Sequence, residues 1–318
     1  MTAVDVAVVI PTYQRSGNLP LLFKELATQT LAPEHFEVVV VDDCSGDDSS
    51  TLVEEWAPQV PYRLRVMSTE KNSGPATARN LGWAVTKAPV VAFLDDDCTP
   101  AAGWLEAGLA AFSVEPAPGL VQGATLLPAG ASTHGLIDWW VWREVTSPTA
   151  YFEGNNLFFR RDVLERTGGF DEDIGHYGED CAAGWRALEA GYRRGFSGNA
   201  VVVHPLEHRG FGWFMRNGYL EHRIVACAAR HPGFRREAFW RGWAYRKEDP
   251  ALVAAVVGVV LATRFRPALL LALPYAWWRR PSVRQRSFFR LCLQIPLVDA
   301  ARLAGHLRGS VRHRVFVL

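Results

Sequence analysis

Residues 90–97 read Val90-Val91-Ala92-Phe93-Leu94-Asp95-Asp96-Asp97, five apolar residues running directly into three carboxylates. A short apolar run closed by polar residues is the pattern of a strand buried on both faces. The same pattern recurs upstream. Val6–Ile10 stops at Pro11, Phe36–Val41 stops at Asp42-Asp43, and Tyr62–Met67 reads as a further strand. Leu19–Gln29, Ser49–Trp56 and Ala76–Thr86 lie between them with helical spacing. Strand and helix therefore alternate from Val6 to Leu94, which predicts an α/β fold with a doubly wound, mostly parallel sheet. Polar residues gather just after the strands, where open α/β sheets bind their ligands.

Further along, Trp104–Phe112, Val163–Thr167, Asp180–Ala190 and Phe211–Ala229 read as helices. Leu120–Leu126, Asn156–Phe159 and Ala200–His204 read as strands, and Ile137–Trp142 is an aromatic segment. A change of character past Ala229 predicts two parts, a catalytic domain over 1–230 and a basic, apolar, mainly helical extension over 231–318.

Charge supports this division. The net charge is +1, but residues from Arg235 onward carry 16 Arg/Lys and 4 Asp/Glu, leaving 18 basic and 29 acidic residues before them. An acidic body with a basic tail points to a polyanion or an anionic membrane surface as the tail's partner. Ala251–Thr263 and Pro267–Trp278 are apolar, but Arg264 and Arg266 separate them. A spanning helix needs about 20 apolar residues, and central arginines are costly in a bilayer. Tryptophans beside arginines at 240–243 and 277–280, with an amphipathic, basic Ile295–Leu318, favour a tail lying on the membrane. A homodimer interface is the alternative use of the apolar halves. Five cysteines without CxxC spacing argue against disulfides or a zinc site. No signal-peptide layout follows Met1. The expected location is cytoplasmic, peripheral on the inner face of the cell membrane.

Five stretches carry chemistry. Asp95-Asp96-Asp97 repel one another, and a hard divalent cation that also bridges a diphosphate would compensate. Taken alone, a solvated acidic turn serves as well. Asp42-Asp43 can accept hydrogen bonds from a nucleoside, or cap a turn. Pro11-Thr12-Tyr13-Gln14-Arg15 offers a ring for stacking and a guanidinium for phosphate. Gly74-Pro75 opens a helix with Arg79 one turn inside. His176-Tyr177-Gly178-Glu179-Asp180 presents an acidic pair from which a general base could come, or simply a helix cap.

The order of these stretches is the specific signal. Pro-Thr-Tyr, Val-Asp-Asp, Gly-Pro-Ala-Thr-Ala-Arg-Asn, Leu-Asp-Asp-Asp, Gly-Asn-Asn, Gly-Gly-Phe-Asp and Glu-Asp follow one another over residues 4–230. In this the chain resembles the family 2 glycosyltransferases. The resemblance implies the GT-A fold and inverting transfer from a nucleotide-diphosphate sugar, a UDP- or GDP-sugar, aided by Mg2+ or Mn2+. It implies that Pro11, Tyr13, Arg15, Asp43, Arg79, Asp95 and Asp96 bind the nucleotide and that Asp97 and Asp95 hold the metal, with His204 as an additional candidate ligand. Asp180 matches the catalytic base. Asn155, Asn156, Glu179 and Trp213 would face the acceptor or donor sugar. The expected acceptor is a carbohydrate or lipid-linked glycoconjugate of the cell envelope. A soluble small-molecule acceptor and nucleotide-sugar binding without turnover are the alternatives. A nucleotidyltransferase would show a Gly-rich loop after the first strand, and a dehydrogenase GxGxxG; neither is present. No nucleic-acid-binding motif accompanies the basic tail.

Overall fold

The computed structural model describes residues 4–131, 139–175, 177–279 and 288–318. Ile137 of the aromatic segment and His176 lie outside the described residues. The strands are β1 (Val6–Thr12), β2 (Phe36–Asp42), β3 (Arg63–Ser68), β4 (Val90–Leu94), β5 (Thr99–Pro100), β6 (Leu120–Leu126), β7 (Trp140–Val141), β8 (Asn156–Arg160), β9 (Arg194–Val203) and β10 (Glu207–His208). The helices are α1 (Leu19–Ala27), α2 (Ser49–Trp56), α3 (Pro75–Ala84), α4 (Trp104–Ala110), α5 (Arg161–Thr167) and α6 (Glu179–Glu189), then α7 (Phe211–Leu220), α8 (His222–Arg230), α9 (Pro232–Ala238), α10 (Asp249–Leu261), α11 (Leu273–Arg279) and α12 (Phe288–His313). Two compact units result: Met1–Ala129 with Trp142–Leu206, and Gly130–Val141 with Glu207–Leu318.

The first unit is built on an eight-stranded sheet of order β3-β2-β1-β4-β8-β6-β9-β5. β3, β2, β1 and β4 run parallel, and β6 runs parallel to β9; β8 is antiparallel to both its neighbours. The mostly parallel α/β sheet of the GT-A fold is thus present. Side-chain alternation assigns each face. Val8 and Ile10 of β1 enter a core with Leu22, Phe23 and Leu26 of α1, while Val9 meets α3 on the opposite face. There Gly82 has no side chain because a Cβ would lie 2.3 Å from Val9 Cγ1. Parallel register sets Val6 level with both Phe36 and Val90, so β1 and β2 end level at Thr12 and Asp42, and the chain leaving β4 at Leu94 runs on beside them. That shared edge brings Thr12, Asp42, Asp43 and the 95–97 aspartates to one end of the sheet.

Among its described residues the second unit is helical apart from the β7–β10 ribbon, and it joins Gly130–Val141 to the chain from Glu207 onward. The expected helix over Phe211–Ala229 is two helices, α7 and α8, joined at Glu221. Both pack on α12, and glycines permit the approach: a Cβ on Gly305 would lie 2.4 Å from Tyr219 O, and one on Gly309 2.8 Å from Val225 Cβ. This packing places α7 and α8 in the second unit. α12 is also less superficial than its composition suggests, since Asp299, Arg302 and His306 are buried. Among the described residues, no helix is long and apolar enough to cross a membrane. All five cysteines are free.

Replacing Gly82 with alanine tests the α3–β1 contact. Helix propensity alone would favour alanine by about 1 kcal/mol, but overpacking costs about 1–3 kcal/mol. The expected result is a lower urea midpoint; a stabilised variant would contradict the packing.

Candidate active site

Two clusters of charged residues form where the first unit's strands end. The first gathers around Asp96 and Asp97. Thr12 Oγ1, at the end of β1, donates a 2.6 Å hydrogen bond to Asp96 Oδ2. Arg15 Nη1 lies 3.3 Å from Asp96 Oδ1 and also pairs with Asp97 Oδ2. Burial pushes the Asp96 carboxyl up to about 7, against the opposing pull of Thr12 and Arg15. Asp96 is therefore anchored inward, while Asp97 faces His204, whose Nε2 lies 3.8 Å from Asp97 Oδ1. His204 Nδ1 lies 2.8 Å from the Pro205 carbonyl. A carbonyl only accepts, so Nδ1 donates there and Nε2 is the ring nitrogen turned towards Asp97.

Asp97, Cys98 and His204 place ligand atoms within 4.8 Å of one another. Burial raises the Cys98 thiol well above its ordinary value, and the neighbouring aspartates push it in the same direction. A neutral thiol is a poor ligand, so the useful donors are a carboxylate and an imidazole. Nearby, Asn155 Nδ2 bonds Thr125 Oγ1 at 3.1 Å and approaches Cys98 Sγ at 3.7 Å, while its buried Oδ1 has no partner. Carboxylate oxygens suit Mg2+ or Mn2+, whereas an imidazole is a transition-metal donor, so the mixed pair fits Mn2+ better than Mg2+. The residues present fit such an ion through Asp97 and His204. Asp95 is not in this group; it turns towards Arg79.

The second cluster centres on Arg79, which is only 4% exposed. Its Nη2 pairs with Asp95 Oδ1 at 2.9 Å and its Nη1 with Glu179 Oε1 at 2.8 Å. The guanidinium also lies over the Phe170 ring, 5.5 Å from the centroid. Burial opposes the Arg79 cation, but the carboxylates of Asp95, Glu179 and Asp180 more than offset it and hold the charge. Glu179 and Asp180 open α6 behind Gly178, whose left-handed backbone (φ 91°) starts the helix abruptly. Burial and the adjacent Asp180 push Glu179 up to about 7, despite Arg79. Asp180 is also raised by burial, while Arg79 and the N–H groups of Gly154 and Cys181 pull it down. Gly154 N donates to Asp180 Oδ2 at 2.9 Å. A Cβ on Gly154 would lie 2.9 Å from Arg79 Nη2 and 3.2 Å from Asp180 Cβ. Glycine is what lets base candidate and arginine close around this loop.

The remaining candidates differ in position. Asp43 is buried and braces the loop before α3, accepting from Thr69 Oγ1, Ser73 N and Gly74 N. Tyr13, 44% exposed, and Pro11 lie at the end of β1 and just beyond it. Asn156 has its amide committed to the fold: Nδ2 bonds the Ala124 and Ala200 carbonyls, and Oδ1 accepts from Trp104 Nε1. It has no group left for a sugar. Trp213 belongs to the second unit, packed on Phe214 with Arg209 over its ring. Thr12, Cys98 and Phe170 have no role of their own in the sequence reading, and Gly154 is expected there beside Asn155 and Asn156 on the sugar side. Thr12 falls opposite Asp96 when the β1–β4 register is extended, a pairing that only the fold reveals; the others depend on tertiary approach.

An open, mostly parallel α/β sheet with acidic clusters at its strand ends is the arrangement of the GT-A fold. The glycosyl transferase family 2 model matches residues 7–167, and the chain belongs to that family. It is 32% identical over 242 residues to a pre-mycofactocin glycosyltransferase of Mycobacterium tuberculosis, an alignment covering 72% of this chain and 48% of that protein. It is 30% identical over 271 residues to validoxylamine A glucosyltransferase of Streptomyces hygroscopicus, covering 74% and 58%. The chain spans about half the length of the curated relatives it matches. Its fold is similar to that of a mannosyltransferase from Pyrobaculum calidifontis solved with GDP-Man and Mn2+, at TM-score 0.64 and 24% identity, covering 96% of this chain and 88% of that one.

The raised Glu179 carboxyl has a consequence for stability. Its ordinary value is 4.5 and its folded value about 7. The folded state then holds a proton that the unfolded state releases, so this contribution is full below pH 4.5 and is lost as pH rises through 7. Glu179→Gln should flatten the fall in urea midpoint between about pH 5 and 8. Parallel profiles for the two proteins would show that Glu179 does not titrate there.

Proposed function

We propose that this chain is an inverting glycosyltransferase that moves a sugar from a UDP- or GDP-sugar to an acceptor hydroxyl, with Asp180 as the general base. The observation that carries this reading is the grouping of Asp180 with Arg79, Glu179 and Gly154. Burial raises the Asp180 carboxyl towards working pH, as a base requires. Arg79 and two backbone N–H groups fix its orientation. Asp180 takes the acceptor proton as the hydroxyl attacks the anomeric carbon opposite the diphosphate, so one displacement inverts the configuration. Asp97 and His204 would hold Mg2+ or Mn2+, which when bound supplies charge stabilisation for the departing diphosphate. Arg15, already paired with Asp96 and Asp97, supplies positive charge beside the same acids. Tyr13 and Pro11 are placed to take the nucleoside, with Asp43 shaping the loop behind.

For the acceptor we favour a lipid-linked or cell-envelope glycoconjugate, because the second unit exposes extensive apolar surface. A soluble small-molecule acceptor is the second reading, supported by the likeness to validoxylamine A glucosyltransferase. Donor binding without turnover is separated from both by assay.

Two measurements bear on this. Thermal melts with UDP or GDP, each with and without Mn2+, should show metal-dependent stabilisation by one nucleotide. Asp97→Ala should lose it, and retention of the full shift would remove Asp97 from the metal site. In transfer assays Asp180→Asn should lower kcat by about 10²–10⁴-fold while nucleotide stabilisation persists. Unchanged kcat would exclude Asp180 as the base.

A further inference from the structure

The second unit combines a buried charged network with an exposed apolar face. Its interior holds a charged network: Arg302 pairs with Asp249 at 2.7 Å and Asp299 at 3.0 Å, and Arg279 with Asp299 at 2.7 Å. Tyr275 Oη donates to the same Asp299 carboxylate. Asp249, Asp299 and Arg302 are all buried. The outside is apolar. α10 buries a face of small residues, Ala251, Leu252, Ala255 and Gly258. Its opposite face exposes Val256, Val257, Val259, Val260 and Leu261. The 3-10 helix Arg266–Ala272 crosses closely at Gly258, where a Cβ would lie 2.6 Å from Ala268 O. It and α11 continue the surface with Leu270 at 65%, Leu273 at 60% and Trp277 at 64% exposure. Monomeric proteins rarely leave contiguous apolar patches beyond about 300–600 Å² in water.

Charge identifies the occupant. From residue 250 to 298 the sequence carries seven arginines and no aspartate, glutamate or lysine. Arg264 and Arg266 are exposed at the turn between α10 and the 3-10 helix. A second copy of this chain would bring the same positive charge against itself. An anionic lipid surface would take the apolar side chains into its acyl boundary and the arginines among its headgroups. We infer that the face formed by α10, the 3-10 helix and α11 is an in-plane insertion surface for anionic membranes, and that α12 is its internal support. This narrows the membrane contact expected for the tail as a whole, 231–318, to a face centred on residues 256–278. The assignment is independent of the transfer chemistry.

Flotation of the full chain with vesicles tests it. The protein should float with vesicles of equimolar phosphatidylglycerol and phosphatidylcholine and stay behind with phosphatidylcholine alone. Leu270→Glu with Trp277→Glu should reduce flotation at least tenfold while the circular dichroism spectrum and melting temperature in water are kept. Arg264→Glu with Arg266→Glu should weaken binding to the anionic vesicles. Should the double glutamate variant lose its fold, Leu270→Ser with Trp277→Ser replaces it under the same criteria. Failure to float with anionic vesicles overturns the inference. So does equal binding to neutral vesicles, or binding untouched by the 270/277 changes. A dimer in light scattering that those changes dissociate, without vesicle binding, would assign the face to a second copy instead.

Discussion

The buried guanidinium of Arg79 is the interaction on which the site depends. A cation so enclosed is tolerable only while carboxylates surround it. It has one on each side, Asp95 from the end of β4 and Glu179 from the start of α6. Those two residues are far apart in sequence and belong to the two halves of the site. Removing one partner of such a pair costs about 3–5 kcal/mol, because the other charge is left buried and unpaired. Arg79 therefore ties the loop bearing the aspartate triplet to the helix bearing Asp180. Its position also explains the acids' division. Asp95 is held by Arg79, Asp96 by Thr12, and Asp97 alone faces His204.

Much of this arrangement was legible in the sequence because strands announce themselves locally. Val90–Leu94 and Leu120–Leu126 have the bounds their apolar runs predict. Carboxylates placed immediately after buried strands had to emerge at the sheet's edge, and they do. Strand order was not legible, since pairing depends on contacts between distant segments. Without it, Thr12 could not be set beside Asp96. The role of Asn156 was equally hidden. Its neighbour in the Gly-Asn-Asn stretch keeps an unpartnered oxygen, whereas Asn156 serves the Ala124 and Ala200 carbonyls and the Trp104 indole. Composition cannot distinguish a ligand asparagine from a structural one. Arg15 shows the same limit: a guanidinium expected near phosphate pairs here with the aspartates.

The helical unit shows why hydropathy misleads where a buried charged network lies behind an exposed apolar face. An apolar segment interrupted by arginines suggests either a failed membrane span or an ordinary core helix. α10 is neither. Its small buried face packs closely at Gly258, and its larger side chains are left outside. Behind it, beside buried apolar residues such as Phe234 and Leu291, lies a charged network of Arg302, Asp249, Asp299 and the partly exposed Arg279, with Tyr275. Buried ion pairs add little net stability compared with apolar packing, but they fix geometry. In water this is a poor exchange, because apolar area that could form the core is spent on the surface. It becomes a sound one where the outside solvent is partly hydrocarbon, since lipid accepts valine, leucine and tryptophan, and the charged interior holds the hairpin's shape without drawing on them.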